Sequence, residues 1–215
     1  MLSDSESSLK INVISASDLI NVQTMGKQDP FLQLSLNFQD KEQFVKTFTH
    51  KDGGSHANWN QSFELPLNGE PDLFIEVLDK EASVDEVIGF AAIPIKQVVY
   101  ADGAYLNGLF NIYDTDGNRA GLVHLQLAAK GFPNSETPNF DTEPVQGESN
   151  VNEEHCARMK SNEKKAVGVS VAGGLFGAGF AIGATLLGKK LYEAQLEEEK
   201  EEERRALEGD APVEE

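Results

Sequence analysis

Between Leu9 and Leu127, apolar residues keep returning at every second position. Leu9, Ile11 and Val13 alternate with Lys10 and Asn12; Leu32, Leu34 and Leu36 with Gln33 and Ser35; Leu73, Ile75 and Val77 with Phe74 and Glu76; Val123, Leu125 and Leu127 with His124 and Gln126. Phe63 and Leu65 flank Glu64 in the same way. Successive side chains of a strand point to opposite faces, so a period of two collects one set on one face, whereas a helix would scatter it. Less regular apolar runs lie at 44–48, 87–95 and 108–113, and Asp52-Gly53-Gly54, Asn68-Gly69, Asp102-Gly103 and Asp116-Gly117 supply turn chemistry between runs. The total is about eight strands at the spacing of a sandwich. The pattern predicts an all-β domain over residues 1–131, with a single short helical turn near Ile95–Tyr100.

Past Gly131 the character changes twice. Residues 132–163 have few apolar positions and no periodicity, and read as a disordered linker. Within 164–190, residues 166–188 form a charge-free, Gly-rich apolar run, with Lys164-Lys165 before it and Lys189-Lys190 after it. About 20 residues of helix cross a hydrocarbon core, so the run has the length of a transmembrane helix. Its pairs Gly173/Gly177 and Gly179/Gly183 would let a second helix approach closely. Residues 191–215 are an acidic, charged tail, read as a solvated helix.

The net charge of −18 divides evenly about Gly131. It argues against nucleic acid as a partner, since phosphate contacts need clustered Lys and Arg. Cys156 is the single cysteine, which suits a reducing compartment. The sequence from Met1 carries no secretory leader pattern, so the expected location is cytoplasmic and membrane-associated. Nothing assembles a catalytic constellation. His50 and His56 lack a third metal ligand, and Asp114–Asn118 resembles the start of an EF-hand loop but has Arg119 where a glycine is required. The expectation is a non-enzymatic binding protein.

Three ordered signatures sharpen this. Leu9–Leu36 runs LKINVISASDLINVQTMGKQDPFLQLSL; Asn58–Phe63 reads NWNQSF; Leu73–Ile95 reads LFIEVLDKEASVDEVIGFAAIPI, and a closing strand GLVHLQL follows at Gly121–Leu127. Together they resemble the C2 domain family, across slightly more than half of the chain. The resemblance implies an eight-stranded antiparallel β-sandwich that docks on phospholipid membranes through loops at one end, where acidic residues hold calcium. Carried onto this sequence, those ligands are Asp29, Asp79, Glu81 and Glu86, with Asp85 able to compete, while Gln23 stands where an acid is usual. A neutral ligand lowers affinity, so the expected Ca2+ binding is weak. Val22, Met25 and Val84 are the expected apolar loop tips, and Lys27 and Lys80 the expected partners of lipid phosphate.

The resulting expectation is a phospholipid-binding module, weakly calcium-dependent and tail-anchored, acting as a membrane adaptor or tether. A calcium-independent protein-interaction scaffold built on the same sandwich is the alternative. The Gly-rich run would serve helix–helix association.

Overall fold

The computed structural model describes residues 7–23 and 25–173, with side chains described to residue 163. The alternating segments become strands: β1 Ser8–Ser17, β2 Pro30–Ser35, β3 Val45–Lys46, β4 Ala57–Pro66, β5 Asp72–Asp79, β6 Glu86–Pro94, β7 Tyr105–Tyr113 and β8 Arg119–Lys130. Their ladder order is β3-β2-β5-β6-β7-β8-β1-β4, and every pairing among these eight is antiparallel. Between β6 and β7 the ladder has one residue pair, Phe90 with Tyr113. There it divides into two four-stranded layers that face each other. The expected eight-stranded sandwich is therefore present. The expected short helix is α1, Lys96–Val99.

The period-two residues fill the space between the layers. Leu9, Ile11, Val13, Leu32, Leu34, Leu73, Ile75, Val77, Leu125 and Phe110 are wholly or almost wholly buried in one cluster. Removing such side chains from water is the main stabilising term of a fold like this.

Residues 132–163, expected to be a disordered linker, are instead laid against the sandwich. Phe132 packs on the main core. The Asn134 amide donates to Val99 and Ala101 carbonyls, and Ser135 donates to that of Ala129. Val145–Gln146 forms β9, a short parallel partner of Gly108–Leu109 in β7. Asn150 then exchanges both backbone hydrogen bonds with Ala92 of β6. The segment thus occupies the seam where β6 and β7 part. Close approach makes this fit: a Cβ on Gly147 would lie 2.2 Å from the buried Phe110 ring, and one on Gly108 would lie 2.6 Å from the same ring.

Helix α2, Glu153–Gly173, follows, and its first turns cover the outer face of β2, β5 and β6. His155 is wholly buried among Phe38, Phe74 and Phe90. Met159, also wholly buried, packs with Phe31, Leu78, Val87 and Phe90. Glu76, which the alternation places on the outward face of β5, is likewise buried, because α2 lies over it. Its carboxylate accepts from Gln33 Nε2 at 2.5 Å and His155 Nε2 at 2.8 Å, and pairs with the Arg158 guanidinium. The sequence lacked a signal for this because the strap has no period and α2 has no apolar stripe.

Among the described residues, no helix is long and apolar enough to cross a membrane. Most of the 166–188 run, with its GxxxG pairs, and the tail at 191–215 lie outside the described residues; α2 carries the start of the run as far as Gly173.

Candidate functional site

Three connections meet at one end of the sandwich: residues 18–29 between β1 and β2, 47–56 between β3 and β4, and 80–85 between β5 and β6. Backbone bonds hold them in register. Leu19 N–H donates to Ser55 O, Gly54 N–H to Gln28 O, and Lys80 N–H to Asp29 O. The keystone is Gln28, wholly buried although it sits in a loop. Its amide nitrogen donates to the carbonyls of Ile20 and Gly54 at 3.0 and 2.8 Å, and its oxygen accepts from Val22 N–H at 3.2 Å. One side chain thereby satisfies three backbone groups of two loops that would otherwise lack partners away from water. Sequence reading passed over Gln28, because a lone glutamine beside an Asp-Pro turn looks like solvated loop.

Asp29 and Asp79 come together, as expected. Asp79 Oδ1 accepts the Asp29 backbone N–H at 2.6 Å, and Asp29 Oδ1 accepts the Asp52 N–H at 2.7 Å, so both carboxylates brace the loops. Burial raises the Asp79 carboxyl above its ordinary range, with the nearby charges of Glu81 and Asp29 acting in the same direction against that hydrogen bond. Glu86 is raised for the same reasons, burial first, then Glu81 and Asp79. Gln23 and Glu81 also meet, with Gln23 Nε2 donating to Glu81 Oε1 at 3.3 Å.

A calcium ion needs six to eight oxygens, several of them carboxylate. Asp79 Oδ2 and Gln23 Oε1 are buried here with no hydrogen-bond partner, as oxygens awaiting a cation would be. Asp85, by contrast, is already engaged: it receives the Lys80 ammonium on both oxygens, at 3.0 and 3.2 Å, and the Glu81 N–H at 3.1 Å. Gln23 brings an oxygen without charge. Among the described residues no three His, Cys, Asp or Glu side chains are arranged to hold a metal ion. The side chains in this arrangement do not make the ligand cage that the resemblance implies.

The expected lipid-facing residues divide in the same way. Met25 is 75% exposed at the tip of the first loop, with Lys27 exposed beside it. Ile20, 36% exposed, adds apolar surface to that loop and was not foreseen. Val22 is no tip: it is half-buried and packs on the main core. Val84 is half-buried in a groove shared with Arg158 and Asn162 of α2. Lys80 pairs with Asp85 while its side chain stays about half exposed (53%).

Comparison with known proteins fits this geometry. A family model described as "C2 domain" matches residues 7–112. The soybean (Glycine max) "Protein SRC2" is 30% identical over 98 residues, 42% of this chain and 34% of that protein. The chain thus spans about a third of the length of that relative. The "16 kDa phloem protein 2" of Arabidopsis thaliana is 25% identical over 128 residues, covering 59% of this chain and 83% of that protein. Among solved structures, a C2 domain of plant Extended Synaptotagmin 1 superposes with a TM-score of 0.48 at 20% identity, over 59% of this chain and 95% of that one. By its two-layer antiparallel sandwich, its joined loop pole and the family match, the stretch over residues 7–112 is a C2 domain.

Proposed function

We propose that this chain is a non-enzymatic membrane-docking module, a cytoplasmic adaptor that meets phospholipid through its loop pole and is anchored by the apolar run 166–188. The observation that carries the reading is Met25, a large apolar side chain left 75% exposed on a loop whose base is fixed by the buried Gln28. Burying a methionine in an apolar phase is worth about 1.5–3 kcal/mol. A lysine near an anionic surface adds about 1 kcal/mol, and Lys27 is placed to supply it. These two contacts give weak binding alone. An anchor in the same chain makes docking intramolecular, and a weak contact then suffices.

Calcium has a minor part in this reading. With Asp85 engaged by Lys80 and Gln23 uncharged, docking proceeds from apolar insertion and lysine contact without a divalent ion. The scaffold alternative has less sheet surface to offer, because α2 already covers the outer face of β2, β5 and β6.

The test is sedimentation of the full chain with phosphatidylcholine–phosphatidylserine vesicles, in calcium and in chelator. Equal pelleting in both supports the proposal. Pelleting only with calcium would restore the ion to the mechanism, and no pelleting in either would remove membrane docking.

A further inference from the structure

The chain contains two Asn-Gly pairs, Asn68-Gly69 and Asn107-Gly108, and the fold treats them in opposite ways. In such a pair the backbone nitrogen of the glycine can attack the side-chain amide carbon of the asparagine, because no Cβ on the second residue obstructs the approach. The reaction needs that nitrogen free of hydrogen bonds, an asparagine side chain free to turn, and backbone room for a five-membered ring.

Asn68-Gly69 meets all three conditions. It lies in the exposed turn between β4 and β5. Gly69 has a φ of +103°, and a Cβ built there would find nothing within 4 Å. The bond made at this turn, from Asn68 N–H to Glu70 Oε2 at 2.6 Å, involves neither reacting group. Among the described residues, the Asn68 side-chain amide and the Gly69 N–H have no hydrogen-bond partner. Asn107-Gly108 meets none of the conditions. Both residues lie inside β7, paired with Gln126 and Leu125 of β8, and Val145 of the strap pairs with Gly108 on the other side. The Asn107 side chain is buried and fixed at both ends: its amide nitrogen donates to Thr142 O at 2.7 Å, and its oxygen lies 2.7 Å from His124 Nε2.

We infer that Asn68 is a site of spontaneous covalent modification in the folded protein, and that the fold protects Asn107 from the same reaction. Gly69 N bonds to Asn68 Cγ, the Cγ–Nδ2 bond breaks, and ammonia leaves with the proton that Gly69 gives up. A succinimide ring is formed, and water opens it. Opening at the former side-chain carbonyl leaves aspartate; opening at the backbone carbonyl leaves isoaspartate, with one more methylene in the main chain. Water is the sole co-reactant. Either product puts a carboxylate where a neutral amide stood. Gly69, Glu70 and Asp72 line a groove with Lys96. It sits at the pole opposite the three loops, roughly 25 Å away along the eight residues of β5. That pole therefore grows more acidic as the molecule ages, while the loop pole keeps its charge.

The experiment holds the full chain at mildly alkaline pH, folded and in urea, with Asn68→Ser as the control, and follows the masses of the peptides that carry positions 68 and 107. Expected in the folded chain is the mass gain of NH2 replaced by OH at position 68. The gain at 107 should be slower by at least about a hundredfold, because β7 must open first and each 1.4 kcal/mol of opening is tenfold. In urea the two rates should converge. The Asn68→Ser chain should gain no mass at that position. The Asp-Gly turns can rearrange through the same ring, but without a change of mass, so they do not enter this readout. A position 68 that reacts in urea and not in the folded chain would overturn the site, and so would one that reacts in neither. Equal rates at 68 and 107 in the folded chain would overturn the protection assigned to β7.

Discussion

His155 Nε2 lies 2.8 Å from Glu76 Oε1, and both side chains are wholly shielded from solvent. Burial pushes the His155 imidazole down to about 4, so it is neutral at physiological pH and Nε2–H donates to the carboxylate. This contact, with Arg158 on the same carboxylate, keys α2 to the middle of β5. A histidine of ordinary pKa in the unfolded chain takes up a proton near pH 6.5, well before the native one does. Between those values the unfolded state binds more protons, so stability falls as pH falls from about 6.5 toward 4. The loss expected from this group is on the order of 2–3 kcal/mol. Asp79, Glu86 and Glu163 are raised, mainly by burial, and act in the opposite sense at lower pH. His155→Gln retains a donor toward Glu76 and does not titrate. Urea unfolding across this range should show a flatter profile for the variant; identical pH slopes would contradict a buried neutral imidazole.

Gln28→Leu is expected to destabilise the loop pole. The leucine fills a similar volume but leaves Val22 N–H and the Ile20 and Gly54 carbonyls without their partner. Buried groups left unsatisfied cost about 1–3 kcal/mol each, partly offset by water entry at a loop. A net loss of about 2–3 kcal/mol should appear in urea unfolding, with faster hydrogen exchange at Val22. Unchanged exchange there would show that the amide is not what joins the loops.

Gly147→Ala tests whether the strap is part of the folded domain. The new methyl would meet the ring of Phe110, which is itself wholly buried and closed in by Gly108 on its own strand. The ring has little room, so the strap must lift. Overpacking of this kind costs about 1–3 kcal/mol. Exchange at Gly147 and Asn150, whose N–H groups bond to Leu109 and Ala92 carbonyls, should accelerate together. A variant as stable as the parent would mean that the strap is not seated against Phe110.

These three positions also mark where the sequence could be read and where it could not. The eight strands were legible because a sandwich core imposes period two on each of them, as Leu73, Ile75 and Val77 illustrate. Asp29 and Asp79 were legible as neighbours through the family signatures that carry them, and the pairing of Pro30 with Asp79 in the β2–β5 ladder is what brings them together. The strap was not, because its order comes from single side chains such as Asn134, Ser135 and Gly147 meeting groups far away in the chain. α2 was missed for a related reason. Its deeply buried contacts are one imidazole and one thioether, His155 and Met159, which make no stripe. The buried state of Glu76 follows only once α2 is in place. Val22 was misplaced because it shares the first loop with Met25, and spacing alone does not say which of the two turns back to the core.

Met25→Ser should separate docking from folding. At 75% exposure the side chain contributes little to the fold, so the unfolding midpoint should stay within experimental spread. If the methionine enters lipid, its loss removes about 1.5–3 kcal/mol, and each 1.4 kcal/mol is tenfold. Vesicle affinity should fall by roughly tenfold or more. Unaltered affinity would assign docking to another part of the chain.

Asp79→Asn addresses the acidic pole directly. In the native chain this carboxylate is buried with one oxygen unpartnered and with Glu81 and Asp29 close enough to raise it further. A raised native pKa means that the ionised form is destabilising at neutral pH, an effect that fades as the pH drops through the native value and both states become protonated. The asparagine keeps an acceptor for the Asp29 N–H and removes the charge. A gain in stability at pH 7 is therefore expected, shrinking as the solution is acidified. Vesicle binding should be the same for parent and variant in calcium or chelator. A parent whose affinity rises severalfold with calcium, and a variant that loses that rise, would show that Asp79 Oδ2 takes an ion despite the engagement of Asp85 by Lys80.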